Sequence, residues 1–166
     1  MHDVGLMRGA RRQAAVGLAL ASGVAVALRV LGLDFGLPHV YNQDELSIMA
    51  RALGFAKGDL NPHNFLYPTF YFYVLFGWLG GFFVAGRVLG LFSSLSAFQT
   101  QFFVDPSVIY LAGRAFSVVC GVAAVWIVYG AGRRLAGRTA GLAGALFLAV
   151  APFAVRDAHY VKHDVP

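Results

Sequence analysis

Thr69-Phe70-Tyr71-Phe72-Tyr73-Val74-Leu75-Phe76-Gly77-Trp78-Leu79-Gly80-Gly81-Phe82-Phe83-Val84-Ala85-Gly86-Arg87-Val88-Leu89-Gly90-Leu91-Phe92 is the stretch on which the fold turns. By length it suffices to cross a bilayer core, which takes about 20 apolar residues. The charges that follow it argue otherwise. Residues 107–130 form a second long apolar run, and Arg133, Arg134 and Arg138 come directly after it. If 69–92 crossed, this three-arginine turn would face outside, against the tendency of basic loops to stay in the cytoplasm. If 69–92 lies along the interface, the turn is cytoplasmic. The enrichment in Tyr and Trp suits an interfacial helix, and that is the expectation taken forward.

Working outward, residues 14–33 form a first apolar run behind a short basic N-terminus with Arg8, Arg11 and Arg12. A cleaved signal peptide competes with a span here, but the run outlasts an ordinary signal core. The N-terminus is therefore expected in the cytoplasm. Residues 139–155 make a third, shorter span. The 166-residue chain is 58% hydrophobic and 13% charged, with mean hydropathy +0.67; a soluble domain carries about 25% charged residues. A single cysteine, Cys120, excludes a disulfide framework or a cysteine metal site. The net charge of +5 does not indicate nucleic-acid binding, because the basic residues are scattered and gather at helix ends. The expected fold is an all-α integral membrane protein, residues 1–166 forming one portion of a multi-span domain. It has spans near 14–33, 107–130 and 139–155, and a first outer loop, 34–106, with surface helices near 44–56 and 69–92. This topology puts Asp34, Asp44, Glu45, Asp59, Asp105, Asp157 and Asp164 outside and Asp3 alone within.

Within that loop, Asn42 followed by Glu45 has the spacing of a capping box. Leu46, Met49, Ala50 and Leu53 then recur at helical spacing until Gly54 or Gly58. Asp44 and Glu45, adjacent on a helix, point different ways. Glu45 has an explanation as the capping partner, and Asp44 is the better candidate for a general base at the lipid–water boundary. A second mixed cluster, Arg156-Asp157-Ala158-His159-Tyr160-Val161-Lys162-His163-Asp164, returns to the same face. Asp44, Asp164, His159 and His163 are metal-ligand types, so a divalent ion is compatible with them, although no spacing is diagnostic. Asn61-Pro62-His63-Asn64-Phe65-Leu66-Tyr67-Pro68 is a stiff turn bracketed by prolines. Arg29 and Arg114 lie inside apolar runs. Snorkelling accounts for both, while an intramembrane arginine also suggests function; for Arg114 that function is contact with a lipid phosphate. Gly113, Ser117 and Gly121, and Gly137, Gly141 and Ala145, form small-residue faces suited to close helix packing.

Taken in order, the acidic pair after the first span, the Asn61–Pro68 turn before an aromatic helix, Tyr110-Leu111-Ala112-Gly113-Arg114, Gly132-Arg133-Arg134-Leu135-Ala136-Gly137-Arg138, Ala151-Pro152-Phe153-Ala154-Val155-Arg156-Asp157-Ala158-His159-Tyr160 and Asp164-Val165-Pro166 resemble a known pattern. It is that of the N-terminal part of a bacterial glycosyltransferase family 39 protein, of the GT-C membrane fold, related to protein O-mannosyltransferases and lipid A aminoarabinose transferases. The resemblance runs from about Arg29 to the end of the chain. It implies an inverting transfer of a sugar from a polyprenyl-phosphate donor to a protein, glycan or lipid acceptor on the extracytoplasmic face of the cell (inner) membrane. It also implies catalytic roles for Asp44, Glu45 and Asp164; substrate contacts are expected at His63, Tyr67, Arg114, His159 and Lys162. It places a juxtamembrane helix at 69–92. Lys162-His163 departs from the small hydroxylated residues commoner before the second acid. The family carries many more spans, so this chain is expected to be a fragment, inactive alone. No cofactor is implied beyond the metal already noted. A membrane transport or lipid-handling protein, whose outer acids bind a cation or substrate, is the alternative; a small structural membrane subunit is a third.

Overall fold

The computed structural model describes residues 2–164, and for residues 2–8 and 10 the backbone alone. The expectations placed on the side chains of Asp3 and Arg8, and on Val165-Pro166, lie outside the described residues. Among those residues all regular structure is helical: α1 (His2–Val30), α2 (Gln43–Gly54), a 3-10 turn (Phe55–Lys57), α3 (Thr69–Val88), α4 (Leu95–Val104), α5 (Ser107–Val150) and α6 (Pro152–Asp157). Three of them, α1 over Arg11–Val30, α3 and α5, are long and apolar enough to cross a membrane.

α5 is two helices in one. At Ala136 (φ −138°) and Gly137 (φ 88°, ψ 177°) the backbone leaves helical geometry, and at the second position only a residue without Cβ is unstrained. The chain reverses there, so that Gly141 faces Tyr129 and Gly144 faces Val128. A Cβ on Gly141 would stand 2.7 Å from the Tyr129 carbonyl oxygen, and one on Gly132 2.8 Å from the Gly141 Cα. The expected pair of spans, 107–130 and 139–155, is thus a tight hairpin with limbs 107–135 and 138–150. The second limb, at 1.5 Å per residue, is only ~20 Å long; α6 continues past a break at Ala151.

α1 lies against both limbs. The Trp126 indole N–H donates to Ser22 Oγ (2.8 Å), Gly17 meets Leu142, and Ala25 packs with Val125, Ala145 and Ala149. These pairings make α1 antiparallel to the first limb and parallel to the second. Exposed Arg11, Arg12, Arg133, Arg134 and Arg138 therefore share one end of the bundle, and Asp44 stands at the other. The small-residue faces divide: Gly141 and Ala145 serve the hairpin and α1, whereas Gly113 receives Val161 and Met49.

α3 ends at Val88, four residues short of the expected boundary, where the N–H groups of Leu91 and Phe92 turn back onto the Gly86 carbonyl. Tyr71 and Trp78 both meet Phe116 (centroids 6.1 and 5.5 Å), and the Trp78 N–H donates to the Ala112 carbonyl at 2.8 Å. Seven helical residues advance ~10 Å, so Tyr71 and Trp78 flank the Phe116 ring from two turns apart. Further on, Phe83 packs on Phe92 and Phe98 instead. Phe98 belongs to α4, a helix not anticipated from the sequence. Ser94 caps it, its hydroxyl accepting from the Ala97 N–H at 3.0 Å.

Arg29 does not snorkel. It is 1% exposed and turned inward, donating to the carbonyls of Ala25 (3.2 Å), Ala149 (2.9 Å) and Leu148 (3.2 Å).

The hairpin contact is testable by paired substitutions. Gly141→Val should lower thermal stability in detergent by about 1–3 kcal/mol through overpacking. Gly130→Ala, at a helical position where a Cβ meets nothing within 4 Å, should hold stability or raise it by about 0.5–1 kcal/mol.

Candidate active site

α2 begins because Asn42, in extended geometry (φ −90°, ψ 113°), accepts the Asp44 N–H on its side-chain oxygen at 3.0 Å. Asp44 and Glu45 fall in the first turn, where negative charge suits the helix N-terminus. The buried face of α2 is Glu45, Ile48, Met49 and Ala52. That is rotated from the expected Leu46, Met49, Ala50 and Leu53 stripe, and Leu46 is half exposed. Ile48, Met49 and Ala52 pack into the core on this face, and Glu45 points inward with them to meet a buried cation.

That cation is Arg114. Its Nε donates to Glu45 Oε1 and its Nη2 to Oε2, both at 2.8 Å, a bidentate pair. Nη1 donates to the carbonyls of Leu33 (2.7 Å) and Phe35 (2.9 Å), just past α1. Glu45 Oε1 also accepts the backbone N–H of Val161 at 3.0 Å. With side chains 0% and 2% exposed, neither group is the one the sequence reading describes. The Glu45 carboxylate is held by Arg114 and Val161 rather than turned back as a capping partner, and the Arg114 guanidinium spends four donated bonds inside the protein. Arg114 joins α5 to α1, and Glu45 joins α2 to the segment after α6.

Asp44 differs from its neighbour in every respect. Its side chain is 46% exposed, with Lys162 Nζ 3.8 Å from Oδ2. Oδ1 accepts the Tyr67 hydroxyl at 2.9 Å. That bond to a carboxylate holds the phenolic proton and raises the Tyr67 pKa above its ordinary value. The Tyr67 ring packs on His163 (4.9 Å), whose Nε2 is 3.3 Å from Asp164 Oδ1. Asp44 and Lys162 line an open cleft of about 620 Å³ together with Arg156, Asp157, Tyr160 and residues 41–43. An adjoining, mainly apolar trough of about 440 Å³ runs past Leu31, Gly32, Phe35, Arg114 and His159, and shares Arg156 and Tyr160 with the cleft.

Of the expected site residues, then, Asp44, Tyr67 and Lys162 come together, and Asp164 approaches through His163 without lining the cleft. Two histidines stand apart from it. His159 presents its ring nitrogens to the carbonyls of Val155 (2.7 Å) and Leu31 (2.9 Å), bridging α6 to the end of α1. His63 pairs with Asp59 at 2.7 Å in a separate pocket beside Arg51 and Lys57. The bond from His63, with the Asn61 N–H, holds the Asp59 carboxyl below its ordinary pKa. The proposed ion ligands Asp44, Asp164, His159 and His163 are not gathered either: among the described residues no three His, Cys, Asp or Glu side chains stand together as a metal site. Arg156 lines the cleft without being singled out from sequence, although it stands in the mixed-charge run at 156–164; Tyr160, which closes one of the stretches quoted for the resemblance, lines it too.

The buried pair predicts a specific pattern. Removing one partner, as in Arg114→Met or Glu45→Ala, should cost about 3–5 kcal/mol by stranding the other charge. The double variant Glu45→Leu/Arg114→Met should cost clearly less than the two single changes summed, read as thermal unfolding of purified protein.

Residues 97–166 match the family model described as dolichyl-phosphate-mannose-protein mannosyltransferase. The match covers α5, α6 and the segment carrying Lys162, under half of the chain, and does not reach Asp44. No curated protein and no solved structure matches. The family match and the three apolar helices together support a multi-pass membrane protein similar to glycosyltransferases that take sugar from a lipid-linked donor.

Proposed function

We propose that this chain contributes the catalytic end of a membrane glycosyltransferase that moves a sugar from a polyprenyl-phosphate donor to an acceptor on the extracytoplasmic face. One observation carries the reading: the half-exposed Asp44 carboxylate shares a polar cleft with Lys162 and Arg156, and an apolar trough opens beside it. An amphiphile with a charged head fits such a pair of spaces, with its phosphate between Lys162 and Arg156 and its chain along Leu31 and Phe35.

Asp44 acts as base or acceptor-orienting carboxylate. A carboxylate offers about four acceptor positions. Tyr67 and Lys162 occupy one side of each oxygen, which fixes the group's direction and leaves lone pairs for an incoming hydroxyl. As the acceptor oxygen bonds to the sugar's anomeric carbon, its proton passes to Asp44. The bond from that carbon to the phosphate oxygen breaks, and the released polyprenyl phosphate gains charge beside Lys162 and Arg156. Glu45 and Arg114 contribute by holding α2 and the 158–162 segment in place. The roles expected at His63, His159 and Asp164 are not part of this reading.

The orientation belongs to the same proposal. The five exposed arginines at the far end of the bundle favour a cytoplasmic position for that end, and the Tyr and Trp enrichment of 69–92 favours an interfacial α3.

In the full-length, active enzyme that carries this chain, Asp44→Asn should lower transfer from a polyprenyl-phosphate sugar by about 10²–10⁴-fold, the usual contribution of a general base, with expression and folding intact. Retained transfer would remove Asp44 from the chemistry. Lys162→Gln should raise the donor KM more than it lowers kcat. In a Cys120→Ser background, a membrane-impermeant thiol reagent added outside should label Ser94→Cys and spare Arg134→Cys; the reverse pattern refutes the orientation.

A further inference from the structure

Arg29 lies in the apolar α1, outside the cleft, and its guanidinium is spent in an unusual way. Two of its three donated bonds go to Leu148 and Ala149, the carbonyls near the end of α5. A helix leaves its last carbonyls without internal partners. Here α5 stops at Val150, Ala151 has left helical geometry (ψ 119°), and Pro152 brings no N–H. No backbone N–H of the residues that follow is bonded to either oxygen. Arg29 supplies the donors from the neighbouring helix, and its charge matches the negative end of the α5 dipole.

The placement matters because the chain leaves this point for the cleft. α6 follows at once, and the segment after it carries Tyr160 and Lys162. Arg29 Nε has no partner and is fully buried, and the residue lines a pocket of about 130 Å³ with Asp157 and Asp164, the acids on either side of that segment. The segment is held on its far side by the Val161 N–H bond to Glu45. Its near side is tied to the end of α1 by the His159 ring and depends further on where α5 ends.

We propose that Arg29 is a positioning residue for the cleft: it fixes the end of α5 against α1, and so sets where Lys162 meets Asp44. The catalytic meaning of this rests on the transfer reading above; the geometric part does not.

The test uses purified protein in detergent. A water-soluble carbodiimide joins a carboxylate directly to an amine only where the two are in contact, so the Asp44–Lys162 link, read by peptide mass spectrometry, reports the cleft without any activity. The unsubstituted protein should give the link, Arg29→Met should lose most of it, and Arg29→Lys should recover part, since an ammonium can serve one of the two carbonyls. Should Arg29→Met not yield folded protein by size exclusion, Arg29→Gln, which keeps two donors without the charge, carries the same expectation of loss. A folded Arg29→Met or Arg29→Gln that links at the unsubstituted level overturns the inference. In the transfer assay the folded variant should lose kcat by about 10–100-fold, as expected of misplaced groups, with partial rescue by Arg29→Lys. Transfer retained by Asp44→Asn in the active enzyme would count against the catalytic reading of the cleft and leave the cross-linking result standing. Unchanged cross-linking would end the role of Arg29 and leave that reading intact.

Discussion

A carboxylate and a guanidinium, Glu45 and Arg114, meet at one end of an apolar bundle with almost no access to solvent. Neither could be left there alone: an isolated buried charge costs several kcal/mol, and mutual attraction offsets this only when the geometry is good and the remaining hydrogen-bonding capacity is filled. Here it is filled by four separate pieces of chain. α2 supplies Glu45, α5 supplies Arg114, the turn after α1 offers two carbonyls, and the segment after α6 offers one N–H. The pair is favourable only when all four are assembled, so the arrangement around Asp44 is expected to form as a unit rather than piecewise.

The contrast between Glu45 and Asp44 follows from helix geometry. Adjacent positions on α2 diverge by about 100°, which is enough to bury one acid on Arg114 and leave the other half exposed in a polar cleft. The first turn thus carries a structural carboxylate and a chemical one side by side, distinguished by environment alone.

Much of the fold was legible in the sequence, because hydropathy and run length follow directly from what a bilayer tolerates. The helical runs and the arginine turn between the limbs of α5 are of this kind. The errors have physical causes. The stripe Leu46, Met49, Ala50 and Leu53 counts apolar residues alone and so passes over Glu45, whose partner lies 69 positions away where no local pattern points to it. Arg29 and Arg114 were both read as reaching for the membrane surface, since sequence does not reveal that α5 ends in orphaned carbonyls or that α2 brings an acid. α4 was missed because its cap, Ser94, lacks the acidic third residue that strengthens such a signal. Of the site, Asp44 and Lys162 were visible as charges in apolar company. Their contact with Tyr67 was not, because it depends on the path of the proline-bracketed turn.

The bond from Glu45 to residue 161 is made to a main-chain N–H. Recognition of that kind is blind to side-chain identity, proline excepted, since only proline lacks the donor. Val161 itself stays buried against Gly113, but the bond puts no demand on the side chain that follows it and faces Asp44. Lys162, in the position where the resemblance leads one to expect a small hydroxylated residue, is an instance of that freedom. A chain built in this way can alter the charge presented to its substrate by point substitution without dismantling the anchor that keeps the segment in register.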